Sequence, residues 1–239
     1  MPAIAFNSAG AGASSETSGA AVSPASPATV IPNQILVIHA YFEGTATAPS
    51  TPTGFTLLSG PHVIETTIGR HWLYGKIADG SEDGAANALG SAAVTTMRSG
   101  RCYSFDGYEA GTLEEIVRGF VPISANSSTP GMPTVTTTVR GGLAVSCVAV
   151  NDNNAVAAAT GESGGDWTEA VADYTVALTP GLTLELQTAT PTANPGTISG
   201  GTTNITNADP VGILGFEIRP FPHASFDPLA GRTHPRNLV

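Results

Sequence analysis

Two stretches of the chain are apolar almost throughout, with neither a helical nor an alternating rhythm. Residues 34–42 read QILVIHAYF and residues 142–150 read GLAVSCVAV. Val- and Ile-rich runs of this length, fenced by turn residues, predict strands buried on both faces, at the centre of a sheet or sandwich. The segments downstream of the two runs are also alike. The first run leads through a Thr/Pro loop to Gly54-Phe55-Thr56, then to residues 71–77 (HWLYGKI) and 101–105 (RCYSF). The second leads through a Gly-rich loop to Gly165-Asp166-Trp167-Thr168, then to residues 182–187 (LTLELQ) and 212–218 (GILGFEI). The landmarks recur after roughly 110 residues, which predicts two copies of one supersecondary unit.

Around these landmarks the punctuation is that of a β-protein. Residues 3–6 (AIAF) predict a short strand, followed by an Ala/Ser/Gly/Pro-rich segment to residue 33. Pro49 and Pro52 exclude 46–53 from any central strand. Residues 71–77 place Trp72, Tyr74 and Lys76 on one face, predicting a half-buried strand whose other surface is wet or meets a partner. The alternation in 182–187 predicts a second half-buried strand. Residues 111–119 hold the one credible helix, short, with Thr112 and Glu115 at capping-box spacing. The expected class is an all-β, jelly-roll-like sandwich of two pseudo-repeated halves, 34–125 and 126–219, after an N-terminal segment 1–33.

Composition narrows the partners. Charged residues make up 12% of 239 positions, against a usual share of about 25%. Thr, Ser, Asn and Gly must therefore carry the polar surface. A net charge of −10 with a single lysine, Lys76, argues against nucleic acid, which needs a basic face. No run approaches the roughly 20 apolar residues of a membrane span. The start of the chain lacks the basic and apolar regions of a signal peptide, so synthesis in a cytoplasm is expected. Cys102 and Cys147 lie in predicted strands of different halves. They read as buried thiols, and spacing alone does not decide whether they pair.

Several motifs suggest chemistry. Residues 161–165 (GESGG) match G-x-S-x-G, and with His39 early and Asp79, Asp83 or Asp106 between, they invite a trypsin-like serine hydrolase with Ser163 as nucleophile and His39 as base. The contexts argue against it: His39 sits inside an apolar strand, and Ser163 precedes Asp-Trp-Thr-Glu. Asp79, Glu82 and Asp83, or Asp152, Asn153 and Asn154, carry oxygen donors for calcium, but both sets lie in turns where Asp and Asn belong for backbone reasons. The histidines lack metal-ligand spacing. No catalytic residue, metal or cofactor is therefore expected. Trp72 and Tyr74 are the candidates for a glycan-contact face.

Residues 220–239 (PFPHASFDPLAGRTHPRNLV) differ from the rest, with four prolines, isolated apolar residues and local basic charge. Phe221, Phe226, Leu229, Arg232 and Arg236 predict an extended arm that docks on an acidic neighbouring subunit.

The assembled unit resembles a recurring jelly-roll-like β-sandwich family of tailed bacteriophages and some bacterial surface proteins: apolar strand, Thr/Pro loop, Gly-(x)-aromatic-Thr strand, an aromatic strand ending Lys76-Ile77-Ala78, a Gly/Ala loop and a closing strand. The opening MPAIAFNS is similar to starts seen there. The resemblance implies a structural protein on the virion exterior, most readily a minor tail or fibre component in assembly or host attachment. Its expected partners are other virion proteins, copies of itself and a host surface glycan. Capsid decoration is the alternative role, a carbohydrate-binding module the next, and a hydrolase using Ser163 the remotest.

Overall fold

The computed structural model describes residues 3–17, 20–44, 48–65, 69–90, 97–108, 111–176 and 181–220. The chain is an all-β sandwich. Its first sheet is built from β1 (Ala5–Ala9), β2 (Ala13–Ser15), β3 (Ile35–Glu43), β4 (Thr56–Ile64), β5 (Gly69–Ile77) and β6 (Arg98–Asp106). After the single turn α1 (Leu113–Ile116) come β7 (Val117–Ser127), β8 (Val135–Thr137), β9 (Leu143–Val150), β10 (Thr160–Ser163), β11 (Thr168–Val176), β12 (Leu182–Ala189), β13 (Gly196–Thr202) and β14 (Asp209–Ile218).

The repeat is visible in strand order. The first sheet runs β1-β6-β3-β5-β4, with β2 also on β6, and the second runs β7-β14-β9-β12-β11. Each apolar run, β3 or β9, occupies the middle of its sheet, and all these pairings are antiparallel. The division at residues 125/126 expected from sequence falls inside β7, which pairs with β14. The second sheet therefore begins directly after α1.

Four layers explain why β3 and β9 show no alternation. Ile35, Val37 and Tyr41 face a central layer between the two large sheets, whereas Leu36, Ile38, Ala40 and Phe42 enter an outer core of the first half. Val145 and Cys147 face the same central layer from β9, while Ala144, Val148 and Val150 face the outer core of the second half. A strand buried on both faces has no use for a polar position. The small sheet β10-β13-β8 covers the second half, and the bridges Val22–Leu89 and Ala25–Ala86 mark the irregular cover of the first.

The Gly-(x)-aromatic-Thr motif, Gly54-Phe55-Thr56 and Gly165-Asp166-Trp167-Thr168, is a plug in both copies. Phe55 and Trp167 are buried in the two outer cores, just before β4 and β11. Gly54 turns the chain at φ +79°, a conformation that side chains with a Cβ avoid. At the junction between the halves, the Glu115 carboxylate accepts the Thr112 N–H at 2.9 Å, and Leu113 and Ile116 close one end of the central layer. The capping spacing thus has the local role expected of it.

Two expectations about exposure change. Neither 71–77 nor 182–187 is half-buried: in β12, Thr183, Glu185 and Gln187 are as inaccessible as the leucines between them. Loops folded over the outer faces remove the water that alternation implied.

Candidate functional site

Trp72 and Tyr74 point into the outer core of the first half and expose nothing. Trp72 meets Phe42 edge-to-face at 5.7 Å, and the Tyr74 hydroxyl donates to the Pro49 carbonyl at 3.1 Å. They are core residues, and the expected glycan face on β5 does not exist in this arrangement. The cover formed by Val30, Phe55 and Leu89 is the physical reason.

Ser163 and His39 are not brought together. Ser163 is exposed on β10, its hydroxyl 3.1 Å from that of Ser199, whereas His39 lies in the central layer, bonded to His71. The Asp/Glu turn is consumed by its own backbone. Glu82 accepts the N–H groups of Asp79 and Gly80 and pairs with Lys76 Nζ at 2.5 Å, and Asp83 accepts the Val30 N–H. Burial raises the Glu82 carboxyl, but Lys76 and the two backbone donors outweigh it and hold the group below its ordinary value. Asp152 likewise caps its own loop through Asn153 and Asn154. Cys102 and Cys147 are buried free thiols in different layers. Phe221, Phe226, Leu229, Arg232 and Arg236 lie outside the described residues.

The concentrated chemistry lies elsewhere, in a carboxylate trio that sequence reading passed over. Glu169 and Asp173 on β11 and Glu185 on β12 bring one oxygen each within 4.8 Å of one another. Glu169 is exposed, Asp173 half-buried and Glu185 completely buried. Asp173 accepts the Val156 N–H at 2.8 Å through Oδ2, while its Oδ1 is buried without a partner. Glu185 accepts Gln187 Nε2 at 3.1 and 3.2 Å through its two oxygens. Gln187 in turn accepts the Ala159 N–H and donates to the Ala157 carbonyl, tying the trio to the loop that covers it.

Three acids this close cannot all ionise cheaply. Burial, then the Asp173 charge, pushes Glu185 up to about 9, and burial with the Glu169 charge raises Asp173 to about 6. Arg101 of β6 reaches the site: its charge lowers Asp173 and its guanidinium donates to the Ala172 carbonyl at 2.6 Å. At neutral pH the site therefore keeps a proton on Glu185, ready to donate a hydrogen bond. Its oxygen donor set is also the kind that a hard divalent cation takes. The available signal was Glu185 itself, an acid between leucines in a strand that the repeat places next to the sheet centre.

No protein-family model matches the chain, and no curated protein or solved structure does either. The trio and the layered fold therefore stand on their own geometry.

Proposed function

We propose that the chain is a structural protein of the phage virion exterior, most readily a minor tail or fibre component. The observation that carries this reading is a duplicated sandwich that turns its aromatic residues inward. Trp72, Tyr74, Trp167, Tyr41 and Tyr103 all fill cores, and the surface is left to loops rich in Thr, Ser, Asn and Gly. Such a body suits packing among copies, with residues 220–239 supplying the apolar and basic contacts to a neighbour. Burial of a few such side chains per copy adds up through multivalency.

Light scattering of the full chain and of a chain truncated after Arg219 tests the proposal. Arg219 is a natural limit, because its N–H donates to the Ile116 carbonyl and its guanidinium to the Glu115 carbonyl. The expected result is an oligomer that falls to a monomer on truncation. A full-length monomer that is unaffected by truncation removes the assembly role of the arm. The capsid-decoration alternative expects a trimer, or a monomer whose arm finds its partner only on a capsid lattice.

A further inference from the structure

The layer between the six-stranded and the five-stranded sheet contains two imidazoles. His39 on β3 and His71 on β5 face into it, and neither has exposed surface. His39 Nε2 and His71 Nδ1 are 3.2 Å apart, a bond that two neutral rings make with one donor and one acceptor. The other nitrogen of each ring, His39 Nδ1 and His71 Nε2, is buried without a partner. Space for the pair comes from Gly212 of β14, where a Cβ would lie 2.4 Å from Ile64 Cγ1 and 3.3 Å from His71 Cε1.

Among the described residues, a proton added here meets no compensating charge. From β4 the ring faces His62, whose centroid is 5.5 Å from that of His71 and which bonds the Ser59 hydroxyl. From β6 come Arg101, the cross-strand neighbour of His39, and Tyr103. β9 brings the Cys147 thiol, which burial keeps neutral. β12 brings Leu184 and Leu186, and β14 brings Gly212 and Leu214. Further along β3, Tyr41 donates to Asn151 and Glu43 accepts the Met97 N–H. Glu65, at the end of β4, is tied to Ser124 and Asn126 of β7. Burial carries His39 down to about 3, and burial with the charges of His39 and His62 holds His71 well below its ordinary value.

The layers differ in what they join. Each outer core is built from one half alone, Leu36, Phe55 and Trp72 in the first and Val148, Trp167 and Ile198 in the second. The central layer mixes them, Val37, Leu73 and Phe105 packing on Cys147, Leu186 and Phe216. We propose that this central seam is acid-releasable: protonation of the His39–His71 pair parts the two large sheets while each keeps its outer core. The inference does not depend on the virion reading.

The sign comes from the depressed affinity for protons. Well above the ordinary value of 6.5 the pair costs nothing, and below it the parted state takes protons that the closed state refuses. Between pH 7.5 and 4.5 the His39 ring shifts the equilibrium toward opening by about 10²-fold, and His71 acts in the same direction. Glu185 and Asp173 lie under the outer cover of the second half, which stays closed when the sheets part, so the rings set this shift and a histidine-free variant isolates them.

The two thiols are built-in reporters, Cys147 in the seam and Cys102 in the outer core of the first half. The full chain is treated with 4,4′-dithiodipyridine at pH 7.5 and 4.5, rates are normalised to a free thiol, and the sites are read by peptide mass spectrometry. The expected result is Cys147 labelling at least about 10²-fold faster at pH 4.5, as the opening shift implies, with Cys102 still protected. The His39→Val/His71→Leu variant should protect both thiols at both pH values. Protection of Cys147 at pH 4.5, equal labelling of both cysteines, or unchanged acid labelling in the variant overturns the proposal. Should the variant not fold, imidazole NMR of the native chain decides. Both rings must stay neutral while the sheets are closed, and either one titrating near 6.5 in the closed protein refutes the seam.

Discussion

Glu185→Gln should make the protein more stable at neutral and alkaline pH, although it removes the most deeply buried acid of the trio. Glu185 titrates at about 9 when folded and near the ordinary 4.5 when unfolded. At pH 7.5 the folded chain must therefore hold a proton that the unfolded chain has lost over three pH units, a cost of about 4 kcal/mol. Glutamine reproduces the shape of the protonated acid without that cost. Its carbonyl can accept Gln187 Nε2 as Glu185 does, and its amide adds a donor beside Asp173, whose Oδ1 is buried and unpartnered. Loss of the second acceptor oxygen offsets part of the gain, so a net stabilisation of about 2–3 kcal/mol is expected at pH 7.5. By pH 4.5 the linkage gain falls to about 0.4 kcal/mol, because a raised carboxyl costs little once the unfolded chain is also protonated, so the lost acceptor should leave the variant slightly less stable than the parent there. Urea denaturation of both proteins at pH 4.5, 6 and 7.5, with equal m-values as the check on two-state behaviour, reads this directly. A variant that is less stable than the parent at pH 7.5 would refute the reasoning. It would mean that Glu185 is ionised in the folded protein and neutralised by a cation, which added EDTA would then expose.

Two further substitutions test the placement of the sequence-predicted residues. Trp72→Ala should cost about 3–5 kcal/mol by emptying the outer core beside Phe42. Thermal denaturation measures the loss, and glycan binding of the folded fraction should not change. Lys76→Ala should cost about 3 kcal/mol, because Glu82 would be left nearly buried beside two backbone donors with its cation removed. A Lys76→Ala variant within about 0.5 kcal/mol of the parent would show that the pair is a surface ornament.

The architecture was legible because it is written in properties that survive without tertiary detail. Continuous apolar runs marked β3 and β9 as strands buried on both faces, and Thr112 with Glu115 marked the single helical turn. Recurrence of Gly-(x)-aromatic-Thr marked the two plugs. Exposure was not legible, because strand alternation reports chemistry and not cover. Trp72 and Tyr74 alternate with Leu73, as a wet face would, yet loops from both ends of the first half close over them. The trio was hidden for a related reason. Glu169 and Asp173 sit on an irregular strand whose register against β12 shifts between Glu169 and Val171 and again between Val171 and Tyr174, so no spacing rule joins them to Glu185. The His39–His71 pair is separated by 32 residues and arises only from the β3–β5 register.

The duplication has put titratable groups in different layers of its two copies, and this fixes where the protein should be most stable. The first half places His39 and His71 in the central layer, where β9 and β12 offer Val145, Cys147, Leu184 and Leu186. The outward face of β5 carries Trp72 and Tyr74, whereas that of β12 carries Glu185 and Gln187. Below pH 6.5 the unfolded chain gains about two protons on the histidines that the folded chain refuses, so stability falls with acid. As pH rises from about 4, the unfolded chain releases the protons of Glu185 and Asp173, while the folded chain holds them up to about 9 and 6, so stability falls with alkali. The two slopes cancel where two histidine protons balance two carboxyl protons, at about pH 6. Denaturation midpoints measured from pH 4 to 9 should therefore peak near that value. Glu185→Gln should move the peak upward by removing the alkaline loss, and His39→Val/His71→Leu should move it downward by removing the acid loss. Displacement of the peak in the same direction by both variants would show that the two clusters are not the opposing groups that set it.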